Sequence, residues 1–212
     1  MIILGLTGSI GMGKSNAAAT LRRLGVPLFD ADAEVHRLMA PRGAAVGRVE
    51  AAFPGIRDEA GGVDRRRLGP VVFSDPAALH RLEGILHPMV RRAEKRFVAR
   101  ARARHQPLVV LDIPLLFESG GIDRVDFVLV VSAPQRLQRE RVMRRPGMTE
   151  SRFDEILRAQ LPDREKRRRA DFVVVTALGR GVTLRRLKAV VRTLRQAGLP
   201  RRHRGGRRCA RL

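Results

Sequence analysis

Residues 8–15, Gly8-Ser9-Ile10-Gly11-Met12-Gly13-Lys14-Ser15, fit the pattern G-x-x-x-x-G-K-[ST] and lie between an apolar run at 2–6 and a stretch of helical spacing at 14–24 that Gly25 closes. A buried strand that turns through glycines into a helix N-terminus is the opening of a β-α-β unit, so a parallel sheet is implied from the outset. The glycines let the backbone close on a phosphate, and the loop amides and helix end supply positive potential. Lys14 can reach the β/γ-phosphates, and the Ser15 hydroxyl can ligate magnesium. A glycine-rich turn that carried Lys-Ser by chance would have no reason to sit between these two elements. All eight residues are expected to bind ATP, with Ser15 also on Mg2+.

Further short apolar runs at 26–29, 108–111, 127–131 and 172–175 are bounded by turn signals and separated by helical patterns. The run at 127–131 is apolar on both faces, as a central parallel strand is. The expected fold class is α/β with a five-stranded parallel sheet. Residues 33–104 are too long for one crossover and read as a helical insertion, with helices at 77–86 and 89–103 separated by His87-Pro88. Residues 135–169 read as a charged helical excursion in which Pro146-Gly147 and Pro162 punctuate two helices. The core then comprises 1–32, 105–134 and 170–197, and the basic tail 198–212 is expected to be disordered.

Forty-three Lys and Arg against 21 Asp and Glu give a formal net charge of +22 and put anionic partners first: phosphorylated small molecules, nucleic acid or an acidic membrane surface. Only four of these cations are lysines, so much of the charge follows an arginine bias. The absence of Tyr and Trp and the eight Phe leave few platforms for stacking on single strands, and no specific nucleic-acid partner is expected. The single cysteine, Cys209, excludes an internal disulfide and a Cys-rich zinc site, and a cytoplasmic location is the default. No window approaches the ~18 apolar residues of a membrane helix, and no membrane partner is expected. Nothing in the sequence speaks to oligomeric state.

Asp30 and Asp32 follow the second apolar run, where an open parallel sheet presents carboxylates at its ligand-binding end. Either could orient an acceptor hydroxyl and take its proton, and either could instead cap the next helix at 33–39. Asp112 ends the third run as a Walker B carboxylate would, holding magnesium directly or through water, or it ends the strand for turn reasons. Residues 113–118 form an apolar wall, read as core or pocket lining. Arg136, Arg139, Arg141, Arg144 and Arg145 cover more than one helix face. Some are solvated surface, and one or two could close over a transferring phosphoryl group, a choice their spacing does not make.

In order and spacing these pieces resemble the dephospho-CoA kinase family over roughly residues 2–195. The resemblance rests on Leu6-Thr7 with the phosphate loop, Asp30-Ala31-Asp32, Asp64-Arg65 with Leu68 and Phe73, and Leu82-Glu83 with Leu86-His87-Pro88. It continues through residues 114–118, Gln138 with Arg141 and Arg145, Gln160, and Ala170-Asp171. It implies ATP-dependent phosphorylation of the 3′-hydroxyl of dephospho-CoA, the last step of coenzyme A synthesis. It also implies a P-loop kinase core, a helical CoA-binding insertion at 33–104 and a lid at 135–169. Carried over, it makes Asp32 the base, Lys14 and Arg145 the stabilisers of the phosphoryl group, and Arg65 and His87 members of the acceptor site. Asp30 and Arg141 are expected beside them as acceptor-binding residues, with Ser15 and Asp112 on the metal. Asn16 and Thr176 depart from the family pattern. The alternatives are another small-molecule or nucleoside monophosphate P-loop kinase, and a nucleic-acid-binding P-loop NTPase.

Overall fold

The computed structural model describes residues 1–196 and 210–211. The chain divides into two compact units, Met1–Phe29 with Ala101–Leu212, and Asp30–Arg100.

The first unit is built on a sheet of order β2-β3-β1-β4-β5-β6, comprising β1 (Ile2–Thr7), β2 (Leu28–Asp30), β3 (Leu108–Asp112), β4 (Phe127–Ser132), β5 (Phe172–Val175) and β6 (Ala210–Arg211). β1 is central, parallel to β3 in the register Ile2↔Leu108 to Leu6↔Asp112 and to β4 in the register Leu4↔Phe127 to Thr7↔Val130. β5 continues the parallel sheet beside β4. These are the five strands the apolar runs predict. β6 adds a two-residue pairing beyond β5, and the rest of the basic tail, at 198–209 and 212, lies outside the described residues.

All five residues of β3 and all six of β4 are buried, which is why neither alternates polar with apolar. One face, with Leu4, Leu6, Val110, Leu129 and Val131, packs on helices α1 (Lys14–Arg23) and α9 (Arg180–Gln196) through Ala17, Leu21, Leu187, Val190 and Leu194. Each fully buried Leu of this cluster is worth about 1.5–3 kcal/mol. On the other side, a Cβ on Gly5 would stand 2.8 Å from Leu116 and 3.1 Å from Val125, so the segment after β3 closes directly on the strand. The sequence-predicted apolar wall is thus core at Leu116 and Phe117, with Leu115 exposed. Because β1 is followed in the sheet by β3 on one side and β4 on the other, its carboxyl end is the topological switch point where ligands bind in open α/β sheets.

The excursion at 135–169 forms three helices rather than two: α6 (Gln135–Met143), α7 (Glu150–Ala159) and α8 (Asp163–Arg169). Pro162, one of the two expected punctuation points, is the N-cap of α8 and opens the third helix.

The second unit holds α2 (Ala31–Met39), α3 (Val46–Ala52), α4 (Arg65–Ser74) and most of α5 (Pro76–Ala103). The expected break at His87-Pro88 does not occur: α5 runs 28 residues through Pro88. Leu82, Leu86, Val90 and Ala93 bury one continuous stripe on both sides of the proline, and that packing outweighs one missing backbone hydrogen bond. α2 begins two residues earlier than its pattern suggested because Asp30 is both the last strand residue and the helix N-cap.

Candidate active site

The phosphate loop leaves β1 at Gly8, where an added Cβ would stand 2.6 Å from Val131 Cγ2 and 2.7 Å from its carbonyl oxygen. Gly11 and Gly13 take φ of 74° and 89°, the left-handed region open to glycine, and Gly13 is the N-cap residue of α1. The loop thereby delivers its amides and the helix end to one point, with Ser15 exposed in the first turn of α1. Lys14 Nζ lies 2.8 Å from Asp112 Oδ1, their side chains 17% and 3% exposed. The last residue of β3 thus pairs with the loop lysine. Ser15 and Asp112 are hard oxygen donors of the kind Mg2+ takes alongside nucleotide phosphates. Among the described residues no three His, Cys, Asp or Glu side chains gather into a cluster.

A second set of contacts braces the loop from behind. The Thr176 hydroxyl, 7% exposed and just past β5, donates to the Met12 carbonyl at 2.8 Å. It accepts from Arg141 NH1 at 2.9 Å, while Arg141 NH2 donates to the Thr176 carbonyl at 3.1 Å. Of the five candidate arginines Arg141 is the one turned inward, and its guanidinium is spent on the loop and β5. Arg139 pairs with Glu150 and Arg144 with Glu140 at 2.6 Å each, and both cations are exposed, so these pairs add little. Arg145 is exposed in the turn after α6, its N–H donating to Val142 O at 3.0 Å. Ile10 is gripped from both sides: Gln138 Nε2 donates to its carbonyl at 2.8 Å, and its N–H donates to Gln160 Oε1 at 3.1 Å.

In the second unit the Asp30 carboxylate accepts from Ala33 N at 3.0 Å, so it is the cap of α2, and Asp32 is the exposed acid of the first turn. His36 stands one turn on from Asp32, and Arg65 NH1 lies 2.9 Å and 2.7 Å from its two ring nitrogens. Arg65 is the first residue of α4, whose N-cap Asp64 accepts from the Arg66 and Arg67 amides. The Arg66 N–H first, against the cost of desolvation and with help from the Arg67 N–H and the two guanidinium charges, holds the Asp64 carboxyl below the usual range. His87 is exposed on α5.

The structure thus brings Lys14, Asp112, Ser15 and Arg141 together around the loop, and sets Arg65 against His36, one turn on from Asp32. Sequence reasoning gave His36 no role and named Gln138, Gln160 and Thr176 without functions. The i, i+4 spacing of Asp32 and His36 was the available signal for the first; the others act across more than thirty residues of chain, where no local pattern reports.

Residues 2–178 match the family described as CoaE, dephospho-CoA kinase. The dephospho-CoA kinase of Paramagnetospirillum magneticum is 63% identical over 196 residues, covering 92% of each chain. The crystal structure of a Thermus thermophilus protein, 42% identical, superposes with a TM-score of 0.79 over 91% of this chain and 97% of that one. Dephospho-CoA kinase from Campylobacter jejuni shares the fold at a TM-score of 0.70 and 23% identity, covering 93% and 98%. A family match over most of the chain, together with so near a relative along almost its full length, puts this chain in the dephospho-CoA kinase family.

Proposed function

We propose that the chain transfers the γ-phosphoryl group of ATP to the 3′-hydroxyl of dephospho-CoA, releasing ADP and coenzyme A, the final step of coenzyme A synthesis. The observation that carries this is membership of the family by a chain whose glycine loop ends in Lys14, held by Asp112 at the switch point of the sheet. The residues of loop 8–15 receive the β- and γ-phosphates through backbone amides, and Lys14 neutralises charge that grows on the transferring group. Ser15 and Asp112 would hold Mg2+, which would supply further neutralisation of the phosphate oxygens.

Asp32 accepts the proton of the 3′-hydroxyl as its oxygen bonds to Pγ and the bond from Pγ to the ADP oxygen breaks. Arg145, exposed in the turn after α6, is the cation of the 135–169 lid that closes over the phosphoryl group. In the 33–104 insertion Arg65 and His87 take the acceptor, with Arg65 aligned by His36. Asp30 serves the acceptor site by fixing the first turn of α2, on which Asp32 rides, and Arg141 serves by bracing the loop. A cytoplasmic location suits this substrate, and no helix among the described residues is long and apolar enough to cross a membrane.

ADP release by the purified chain with ATP and Mg2+ tests the proposal, with dephospho-CoA, with AMP or CMP, or with no acceptor. Turnover only with dephospho-CoA, yielding a product phosphorylated at the 3′ position, is expected. Turnover with AMP or CMP instead would assign the chain to nucleoside monophosphate chemistry, and equal ADP with and without acceptor would overturn the kinase reading.

A further inference from the structure

The phosphate loop has a support that the chemistry above does not use. Gln160, whose side-chain oxygen accepts from Ile10 N–H at 3.1 Å, opens the turn between α7 and α8. The backbone of that turn is tied down at once. Leu161 N–H donates to Glu118 Oε1 at 2.8 Å, and Asp163 Oδ2 accepts from the hydroxyl of Ser132, the last residue of β4, at 2.7 Å. Lys166 Nζ lies 2.8 Å from the same Glu118 oxygen. The Lys166 side chain is fully buried, 0% exposed, in a helix whose four arginines all face solvent. An ammonium taken out of water repays its desolvation only when paired in good geometry, and an apolar side chain of similar length would fill the site at less cost. The return on the pair is therefore position: it fixes Glu118, Glu118 fixes Leu161, and the adjoining Gln160 is aimed at the loop.

We propose that the turn at 160–163 is a bracket that holds the phosphate loop in its phosphate-receiving shape, with Gln160 the positioning residue that meets Ile10 and the Glu118–Lys166 pair the anchor that sets Gln160. This rests on the reading that the loop binds ATP. Gln160 meets the site at the phosphate loop, so loss of the bracket falls on the nucleotide and not on the acceptor.

The test compares the wild-type chain with Gln160→Leu, with the paired variant Glu118→Gln/Lys166→Met, which leaves no orphaned charge, and with all three substitutions together. ATP binding with Mg2+ is followed by calorimetry, and KM is measured for each substrate. Loss of one hydrogen bond should weaken ATP binding and raise the ATP KM about three- to tenfold, with the dephospho-CoA KM unchanged. The triple variant should be no worse than the weaker of the two, because both changes cut one line of support. Gln160→Leu binding ATP as tightly as wild type, an equal rise in both KM values, or additive losses in the triple variant would each overturn the bracket. A wild-type chain that bound no ATP would instead remove the reading of the loop, and the bracket with it.

Discussion

Replacing Thr176 by Val tests the second brace of the loop, because it removes one hydroxyl and almost no volume. That hydroxyl, 7% exposed, donates to Met12 O at 2.8 Å and accepts from Arg141 NH1 at 2.9 Å. The remaining contact of NH1, to Gly11 O at 3.4 Å, is too long to replace it. A hydrogen bond to a charged group contributes about 1.5–3 kcal/mol and a neutral one about 0.5–1.5 kcal/mol, so Thr176→Val should cost roughly 3 kcal/mol. For a chain of this size that lowers the melting temperature by about 6–12 °C. Far-UV circular dichroism is the assay of choice, since the chain has no Trp or Tyr to report by fluorescence. Thr176→Ser, which keeps the hydroxyl, should recover most of the loss. ATP binding should weaken along with stability, because Met12 and Gly11 are loop residues. A Val variant that melted within about 2 °C of wild type, or a Ser variant no better than Val, would refute the assignment of the loop's rigidity to this hydroxyl.

Asp32→Asn should reduce turnover by orders of magnitude while leaving ATP affinity unchanged, and Lys14→Ala should lose both turnover and nucleotide affinity; initial rates with an ATP titration separate the two. Gly11→Ala forces a Cβ to within 2.6 Å of Val142 Cγ2 and 2.9 Å of Gln138 O at φ 74°, so it should abolish ATP binding, by calorimetry, before it unfolds the chain. Burial alone would raise the Glu118 carboxyl, but Lys166 and the Leu161 amide more than offset it and hold the group below the usual glutamate range. The stability Glu118 contributes is therefore present above that range and lost as pH falls through the depressed value. Melting temperatures from pH 6 down to 3 should fall more steeply for wild type than for Glu118→Gln/Lys166→Met, and parallel curves would contradict the shift.

The loop and the strands were legible because their signals are local. A glycine pattern between a strand and a helix names its own geometry, and the runs that became β3 and β4 are apolar at every position because both faces are covered. Where local rules compete with packing, the sequence misled. Pro88 reads as a helix end, yet the buried stripe of α5 carries the helix through it. By residue type and position either Asp30 or Asp32 could cap the helix, and the hydrogen bond from Ala33 N identifies Asp30 as the cap.

The arginine excursion was the least legible part, because a run of cations reads as a solvated face whatever lies beneath it. Arg141 and Lys166 look like their neighbours, and their partners Thr176 and Glu118 stand 35 and 48 positions away in the chain. One signal does survive in such a composition. Only four of the 43 cations are lysines; Lys95 and Lys188 are exposed, but a lysine off the open surface is where a compact ammonium fits and a planar guanidinium does not. Lys14 and Lys166 are two of the four. One is paired to Asp112 and the other to Glu118, each at 2.8 Å, the first in the loop itself and the second beneath the proposed bracket. At these two lysines the geometry of the site has outweighed the composition of the chain.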